Sequence, residues 1–293
     1  MKTKKNRLFS CITKRVAGTP ATLFSNFLGI FIYEKRQNVK DFVERGWFNM
    51  KENKYDDPQF FEQYSKMSHS VQGLDGAGEW HELKKLLPDF AGKTVLDLGC
   101  GFGWHCRYAA EQGAAHVTGV DLSERMLKRA REMTSFPNIQ YIHSSIEDFP
   151  CPENCFDVVI SSLTLHYVES YGDVCRKVFN SLKNKGYFVF SVEHPIFTAQ
   201  GKQDWHYDSN GTPLHWPVDN YFTEGIRQAV FLGNDVVKYH RTLTTYLNTL
   251  TGTGFSLCQI TEPQPDPSML DIPGMKDELR RPMMLIIQAQ KSN

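Results

Sequence analysis

Hydrophobic positions along the chain recur first with a helical spacing and then in short continuous runs. The segments "DPQFFEQYSKM", from Asp57, and "GEWHELKKLLPDF", from Gly78, both place apolar residues on one side of a helix. Pro88 and Gly92 end the second of these segments. Two amphipathic helices are therefore expected ahead of the first strand.

Runs rich in valine, isoleucine and phenylalanine follow, and helical segments separate most of them. The predicted strands are "KTVLDLG", "HVTGVDL", "IQYIHSS", "CFDVVISS" and, after an "NKG" turn, "GYFVFSVE"; the predicted helices are "WHCRYAAEQG", "SERMLKRAREM" and "SYGDVCRKVFNSLK". Strands that alternate with helices imply right-handed crossovers and a parallel sheet. Strands this apolar are expected where helices cover both faces of the sheet.

The alternation stops after Glu193 and resumes near residue 241. The residues between, about 195–240, are rich in proline, glycine, asparagine and aromatic residues, and we interpret them as a cap inserted after the fifth strand. The chain closes with a helix, "RTLTTYLNTLTGTG", and a hairpin-like pair of strands, "FSLCQITE" and "RPMMLIIQAQ". The fold class is therefore predicted to be α/β, with a seven-stranded, mostly parallel sheet.

Residues 1–49 differ in character from the rest of the chain. Their start, "MKTKKNRLFSCITKR", is basic, and the apolar run "ATLFSNFLGIFIY" is shorter than the roughly 20 residues that a membrane span requires. The run leads into "EKRQ" without a small-residue cleavage pattern, which disfavours a secretory signal. We expect 1–49 to be a disordered or dispensable extension, and 50–293 to form the functional domain.

The charges of the chain balance, with 33 basic and 33 acidic residues. Proteins that bind phosphate backbones usually carry a basic excess, so nucleic acid is not an expected partner, and neither is a membrane. Seven cysteines form an odd set without a small disulfide framework, which predicts reduced thiols and a cytoplasmic location. Cys151 and Cys155 lack a second ligand pair, so no metal site is predicted.

The stretch "VLDLGCGFGWHC" carries the first chemical signal, because three alternate glycines follow a strand and open a helix. Such a loop suits a nucleotide-like ligand, although Cys100, His105 and Cys106 also leave a metal site or a thiol nucleophile open. Trp104 stands where a dinucleotide-binding fingerprint needs its third glycine, which disfavours a nicotinamide dehydrogenase. Asp121, at the end of the next strand, can accept hydrogen bonds from ribose hydroxyls.

Four segments in order, "VLDLGCGFG", "VTGVDLSERML", "IEDFP" and "FDVVISSLTLHYV", resemble the successive motifs of the class I S-adenosylmethionine-dependent methyltransferases. The resemblance extends from about Tyr64 to the end of the chain and is closest to the branch that methylates small molecules. It implies a Rossmann-like fold, S-adenosyl-L-methionine as the cofactor and a small-molecule methyl acceptor. The resemblance does not decide between a monomer and a homodimer.

The same resemblance implies roles for individual positions around the cofactor. Asp97 and the main chain of the glycine loop would hold the methionine part, Asp121 the ribose, and Tyr64 would act as a lid. The family often has aspartate where this chain has Ser145, so Glu147 or Asp148 would replace that contact with adenine. Core packing is the alternative for the apolar positions. The full expected set is Tyr64, Asp97, Gly99, Cys100, Gly101, Gly103, Asp121, Leu122, Met126, Ser145, Ile146, Glu147, Ser161 and Ser162.

Acceptor chemistry is expected beyond the carboxyl ends of the fourth and fifth strands, where His166 and His194 follow. Either could take a proton from an O–H or N–H nucleophile, or could serve only to pack a helix or orient the turn before Pro195. His240 and Arg241 lie where the chain re-enters the domain, and Arg241 suits a substrate carboxylate or phosphate.

The aromatic residues of the insert indicate either a small-molecule pocket or a mini-core of the insert itself. The leading hypothesis is a methyltransferase acting on a small molecule. The alternatives are a methyltransferase acting on protein or RNA and a non-catalytic protein that binds S-adenosylmethionine.

Overall fold

The structure is a computed structural model that describes residues 53–292. The expected extension, 1–49, and the expected start of the domain at Met50 lie outside the described residues. Within 53–292, no helix combines the length and apolar character that crossing a bilayer requires.

One seven-stranded sheet organises the described chain, in the order β10-β11-β5-β4-β1-β2-β3. Strands β1 to β5 run parallel to one another, and β11 is antiparallel to both of its neighbours. This confirms the predicted mostly parallel sheet and the antiparallel closing pair. The strands are β1 Thr94–Leu98, β2 His116–Asp121, β3 Ile139–His143, β4 Phe156–Ser162, β5 Leu182–Glu193, β6 His206–Tyr207, β7 Pro213–His215, β8 Gly225–Phe231, β9 Asn234–His240, β10 Phe255–Thr261 and β11 Met284–Lys291.

Helices pack on both faces of the sheet, because alternate strand side chains point to opposite sides. In β4, Val159 joins the core cluster that contains α6 and α8, whereas Val158 and Ile160 join the cluster that contains α4. The helices are α1 Pro58–Ser65, α2 Ser68–Gln72, α3 Trp80–Leu86, α4 Trp104–Glu111, α5 Glu124–Met133, α6 Tyr171–Ser181, α7 Pro195–Thr198, α8 Leu243–Thr253 and α9 Met275–Glu278.

The fifth strand begins earlier than the sequence pattern indicates. β5 starts at Leu182, includes the predicted "NKG" turn, and shifts register against β4 between the pairs of Phe156 and Val158. Lys185, inside this stretch, has a φ of 63°. The turn is thus an irregularity within a paired strand, because hydrogen bonds with β4 continue on both sides of it.

The insert contains regular structure that its composition did not reveal. β8 and β9 form an antiparallel hairpin joined by Leu232 and Gly233, with φ of 51° and 71°. Two consecutive residues with positive φ are typical of the two-residue turns that join hairpin strands. Leucine is a rare choice for the first position, so the sequence carried no strong turn signal there.

The hairpin packs against the first helix of the described chain. Phe60 of α1 is buried with Ala229 and Val236 of the hairpin, and its ring centroid lies 5.9 Å from that of Phe231. α1 and the β8–β9 hairpin are far apart in sequence but pack together, and we call this pair of segments the two-part cover. Lys238 attaches it to the carboxyl end of β5 through an ion pair.

Candidate functional site

The glycine loop joins β1 to α4 at the carboxyl end of β2. The N–H groups of Gly99 and Cys100 both donate to the carbonyl of Val120, at 2.8 and 3.0 Å. The N–H of Gly101 donates to Oδ2 of Asp121 at 2.8 Å. The glycine loop and Asp121, which the sequence analysis placed at the end of the next strand, are thus in direct contact.

The three glycines meet three different surroundings, although all have positive φ (77°, 52° and 70°). A Cβ on Gly99 would lie 2.4 Å from Thr164, and one on Gly103 would lie 2.2 Å from the hydroxyl of Tyr141. A Cβ on Gly101 would meet nothing within 4 Å. Packing inside the protein therefore requires glycine at the outer two positions, whereas Gly101 borders open space that a ligand can enter.

Asp121 is held in place from two sides. Its Oδ1 accepts the N–H of Ser123 at 2.8 Å, and Ser123 caps α5 by accepting the N–H of Met126, as predicted. Burial raises the pKa of Asp121 most, and the hydrogen bonds from Ser123 and Gly101 partly oppose that rise. Each carboxylate oxygen retains a further lone pair, so the side chain can still accept hydroxyl donors.

Asp97 is buried at 1% exposure with an incomplete set of partners. Its Oδ2 lies 3.3 Å from Sγ of Cys106, and its Oδ1 has no hydrogen-bond partner among the described residues. Burial raises the pKa of Asp97 to about 7; the bond from Cys106 opposes this rise and the charge of Asp121 adds to it. An unpartnered carboxylate oxygen, the open space at Gly101 and the oriented Asp121 fit a ligand that carries both an ammonium group and a ribose.

The positions expected near adenine lie at the ends of β2 and β3. Met126 and Ile146 are buried and Leu122 and Glu147 are half-buried. Ser145 stands where the family often has aspartate, and its hydroxyl donates to Oδ2 of Asp148 at 2.7 Å. Asp148 is one of the two acids expected to replace the aspartate's contact with adenine. Adenine contacts at these positions stay predictions.

The thiols of the loop are held in their neutral form. Burial raises the pKa of Cys100 to about 11 and that of Cys106 well above its usual value. Burial also lowers the pKa of His105 to about 4. Neutral thiols are poor nucleophiles and ligands. Across 53–292, no group of three or more His, Cys, Asp or Glu side chains is placed to hold a metal ion.

The two serines that end β4 point in different directions. Ser161 is fully buried and its hydroxyl donates to the carbonyl of Leu98 at 2.8 Å, which ties β4 to β1. The Ser162 hydroxyl lies 3.0 Å from Oε1 of Glu79 and 3.1 Å from Oγ of Ser191. Of the two, Ser162 is the one at the ligand edge.

The three histidines predicted on the acceptor side share one arrangement, in which Nδ1 accepts a hydrogen bond. Nδ1 of His166 accepts the N–H of Glu193 at 3.3 Å, and Nδ1 of His194 accepts the N–H of Ile196 at 3.0 Å. In His240, Nε2 lies 2.8 Å from the carbonyl of Tyr221, so its proton is on Nε2 and Nδ1 accepts from the Thr198 hydroxyl.

These contacts leave the histidines without a free basic nitrogen. Burial is the main cause that lowers the pKa of each of them, to about 4 for His166. The alternative stated for His194, orienting the turn before Pro195, matches its position at the start of α7. Base roles for His166, His194 and His240 stay predictions that this geometry does not favour.

Arg241 is also engaged by the protein itself. Its guanidinium donates to the main-chain carbonyls of Val168, Glu169 (2.8 Å), Leu165 and Tyr239 (both 3.4 Å). It therefore fastens the segment after β4 to the end of β9. Binding of a substrate anion by Arg241 stays a prediction, and it would require breaking some of these bonds.

The aromatic residues of the insert form a mini-core, the second of the two alternatives. Trp216 stacks on Phe197 with centroids 5.0 Å apart, and Trp205 meets Trp216 edge to face. The guanidinium of Arg281 lies 3.9 Å from the centroid of Trp216 and pairs with Glu278. This packing favours the mini-core interpretation for Trp205 and Trp216, and the pocket interpretation stays a prediction.

We call the region bounded by the glycine loop, the carboxyl ends of β4 and β5 and the two-part cover the cleft; four residues around it were not selected by the sequence analysis: Tyr55, Glu79, Glu193 and Lys238. Lys238, 2% exposed, binds Oε1 of Glu193 at 2.6 Å. Burial raises the pKa of Tyr55 well above its usual value and its contact with Tyr167 adds to the rise; the ring centroid of Tyr55 lies 6.5 Å from that of Tyr167 and 5.2 Å from that of Tyr64. None of the four belongs to a local motif, so no signal in the sequence could have identified them.

Comparison with known proteins adds to this geometry. The profile of a methyltransferase domain family matches residues 96–190. The crystal structure of a Listeria monocytogenes protein, assigned as an S-adenosylmethionine-dependent methyltransferase, is 58% identical, has a TM-score of 0.73, and covers 75% of this chain and 100% of its own. A Mesorhizobium loti S-adenosylmethionine-dependent methyltransferase is 43% identical, with a TM-score of 0.70 and the same coverage.

Curated relatives match over different lengths. An uncharacterized protein of Haemophilus influenzae is 34% identical over 254 residues, which are 83% of this chain and 98% of that protein. Demethylmenaquinone methyltransferase of Listeria monocytogenes is 38% identical over 36% of this chain and 46% of its own length. Malonyl-[acyl-carrier protein] O-methyltransferase of Pectobacterium atrosepticum is 32% identical over 42% of this chain and 47% of its own.

Proposed function

Because the chain belongs to the class I S-adenosylmethionine-dependent methyltransferases, with S-adenosylmethionine as its cofactor, we propose that it methylates a small molecule. The acceptor would bind between the glycine loop and the two-part cover, beyond the carboxyl ends of β4 and β5. Fold alone does not define a substrate, so the proposal depends on the shape and lining of this site.

The observation that carries the proposal is the two-part cover itself. Phe60, Phe231 and Val236 join α1 to the hairpin, and the Lys238–Glu193 ion pair joins the hairpin to β5. Tyr55 and Tyr64, on the α1 side, pack edge to face on each other, and Tyr64 packs on Phe102 of the glycine loop. A covered site lined by aromatic side chains with a few polar groups is typical of small-molecule binding, whereas a macromolecule needs an open surface.

The relatives agree with a small acceptor but do not identify it. Demethylmenaquinone methyltransferase and malonyl-[acyl-carrier protein] O-methyltransferase match only about a third to two fifths of this chain. The balanced charge of the chain gives no support to an RNA acceptor.

When bound, the cofactor supplies a methyl group on a sulfonium ion, which a nucleophile displaces in line. The protein's contribution is binding and orientation. We assign the unpartnered oxygen of Asp97 to the cofactor's ammonium group and Asp121 to its ribose hydroxyls. Gly101 leaves room for the ligand to approach the main chain. Ser162, at the end of β4, faces the region where the acceptor enters.

The histidines and Arg241 receive supporting roles in this proposal. With Nδ1 accepting the N–H of Glu193, neutral His166 carries its proton on Nε2 and can only donate from that atom. His194, His240 and Arg241 fix α7, the insert and the segment after β4. They are expected to position the acceptor site without exchanging protons with the substrate.

The test has a binding part and a transfer part. We expect S-adenosylmethionine and S-adenosylhomocysteine to raise the melting temperature of the wild type, and Asp121→Ala to abolish both shifts. Cofactor with a radiolabelled methyl group is then incubated with cell extract, and the extract is divided by ultrafiltration.

Label in the small-molecule fraction, dependent on enzyme and absent with Asp121→Ala, is the expected result. Label confined to retained protein or RNA would replace the proposal with the macromolecular alternative. Binding without any transferred label would favour a non-catalytic protein.

A further inference from the structure

A buried carboxylate lies at the acceptor edge of the cleft, on an element ahead of the first strand. Glu79 occupies the position before α3 and is 3% exposed. Its Oε1 accepts the hydroxyl of Ser162, the last residue of β4, at 3.0 Å. Burying a carboxylate without a cationic partner destabilises the folded state, so a carboxylate kept at such a position is expected to serve a function.

Serine side chains connect Glu79 to the ends of two central strands. The hydroxyls of Ser162 and Ser191 lie 3.1 Å apart, and Ser191 Oγ also accepts the N–H of Leu163 at 3.1 Å. Leu163 has a φ of 49°, a strained value for a leucine and one that is enriched at functional sites. Thr164, the next residue, packs on Gly99 of the glycine loop. Glu79 is therefore hydrogen-bonded to Ser162, the residue directly before the segment that packs on the glycine loop.

Tyr64 packs on the glycine loop. Its ring centroid lies 5.8 Å from that of Phe102, which belongs to the loop, and 5.2 Å from that of Tyr55. Burial raises the pKa of Tyr64 well above its usual value, and the charges of Tyr55, Asp121 and Glu79 add to the rise. Tyr64 is thus a neighbour of the loop where the cofactor is expected to bind.

The other carboxylates around the cleft already have partners or another assignment. Asp121 accepts two main-chain N–H groups, and Glu193 binds Lys238 and Gln203. Asp97 lies beneath the glycine loop, against Cys106.

Among residues 53–292, Glu79 has only weak partners by comparison. Burial raises its pKa, and its own N–H, the Ser162 hydroxyl and the charge of His81 oppose that rise. A carboxylate with a raised pKa and no strong cationic partner is suited to accept a proton. The three nearby histidines cannot do so, because their basic nitrogens are occupied.

We propose that Glu79 is a catalytic residue that faces the transferred methyl group and accepts the proton released by the acceptor's nucleophile. This inference rests on the proposed function, and it narrows the acceptor to molecules that are methylated on an N–H or O–H group. The lone pair of that nitrogen or oxygen forms the new bond to the methyl carbon. The bond between that carbon and sulfur breaks with its electrons left on sulfur, and the proton passes to Glu79.

Two cofactor analogues test this placement without knowledge of the acceptor. S-adenosylhomocysteine has nothing at the methyl position, whereas sinefungin carries an amine there that is protonated at neutral pH. Both share the adenosine, the α-ammonium and the carboxylate. A carboxylate facing the methyl position should therefore strengthen sinefungin binding alone, by about 10- to 100-fold for a charge-assisted hydrogen bond.

The measurement is isothermal titration of both analogues into wild type, Glu79→Gln and Glu82→Gln, an acid in α3 that pairs with Lys85 at the surface. We expect Glu79→Gln to weaken sinefungin by about tenfold or more and S-adenosylhomocysteine by less than about twofold. Glu82→Gln should change neither. Glu79→Asp keeps the charge, so it should retain part of the preference for sinefungin, and it serves if the glutamine variant does not fold.

Other outcomes overturn the assignment in distinct ways. Equal weakening of both analogues by Glu79→Gln would mean that Glu79 binds the shared α-ammonium. No change in either affinity would mean that Glu79 does not reach the ligand. Failure of the wild type to bind either analogue would reject the proposed function itself.

Discussion

Asp97 should make cofactor affinity depend on pH and should reduce the stability of the ligand-free protein. Burial raises its pKa to about 7, and its Oδ1 has no partner among the described residues. In the complex, a nearby ammonium group would lower that pKa. The perturbations are pH itself and the substitution Asp97→Asn, which removes the ionisable group at nearly constant volume.

The direction of both effects follows from linkage. The free protein must lose the proton of Asp97 to bind the ammonium, so affinity rises with pH until about pH 7 and then levels off. A group with this pKa is roughly three-quarters protonated at pH 6.5, so binding there should release roughly 0.7–0.8 proton. Between pH 8 and pH 6 the affinity of the wild type should fall about tenfold.

Stability changes in the opposite direction. A carboxyl whose folded pKa exceeds its unfolded pKa destabilises the fold progressively as pH rises from the unfolded value to the folded one. From 3.8 to about 7, the cost approaches an order of 4 kcal/mol at neutral pH. Asp97→Asn should therefore raise the melting temperature of the free protein at pH 7, by roughly 8–16 °C for a domain of this size.

The assay uses S-adenosylhomocysteine, whose ammonium is its only cation. Calorimetric titration in two buffers with different ionisation enthalpies gives the proton release, and thermal unfolding without ligand gives the stability. Asp97→Asn should lose affinity at pH 8 and should flatten the pH dependence below pH 7. Proton uptake on binding, or a wild-type slope retained by the variant, would refute the reasoning.

Three further sets of substitutions test separate parts of the structure. Gly101→Ala should reduce cofactor affinity more than about tenfold and should lower the melting temperature modestly, because its φ of 52° strains an alanine; Gly103→Ala should lower the melting temperature more, since its Cβ, also at positive φ, would lie 2.2 Å from a tyrosine hydroxyl. Lys238→Met should cost about 3–5 kcal/mol in chemical denaturation by leaving Glu193 buried without its cation, and Glu193→Gln in the same chain should recover part of the loss. Asp56→Ala should cost about 1 kcal/mol at neutral pH, because Asp56 binds the first turn of α5, and the difference should disappear in acid as Asp56 is protonated below its lowered pKa.

Local patterns were sufficient to predict the sheet and the contact between the glycine loop and Asp121. Runs such as "FDVVISS" predict a strand because both faces are buried, and the structure places Val158 and Val159 in cores on opposite sides of the sheet. Asp121 and the glycine loop are joined by one hydrogen bond, as their places after successive strands imply. Residues that follow successive parallel strands in the sequence therefore lie close together at one edge of the sheet.

The acceptor side could not be predicted in the same way. Glu79 and Ser162 are 83 residues apart and Lys238 and Glu193 are 45 apart, and their pairing depends on how separate elements pack. The histidines were selected by residue type and strand end, but those features do not determine the hydrogen bond that each Nδ1 accepts. A side chain's partners decide whether it can exchange a proton, and partners from distant segments leave no local pattern.

The distribution of charge in the cleft connects the two sides. Asp97, Asp121 and Glu79 all have pKa values raised chiefly by burial, so burial disfavours the charged form of each of these carboxylates in the ligand-free site. A cationic ligand would favour the charged form of those near it and would offset the cost of their burial. Glu193 differs because its buried partners inside the protein, His166 first and then Lys238, lower its pKa against the effect of burial. Within the described part of the chain, Asp97, Asp121 and Glu79 form no ion pair with a cation of the protein. They are therefore available to bind the positively charged cofactor or to accept a proton from the methyl acceptor.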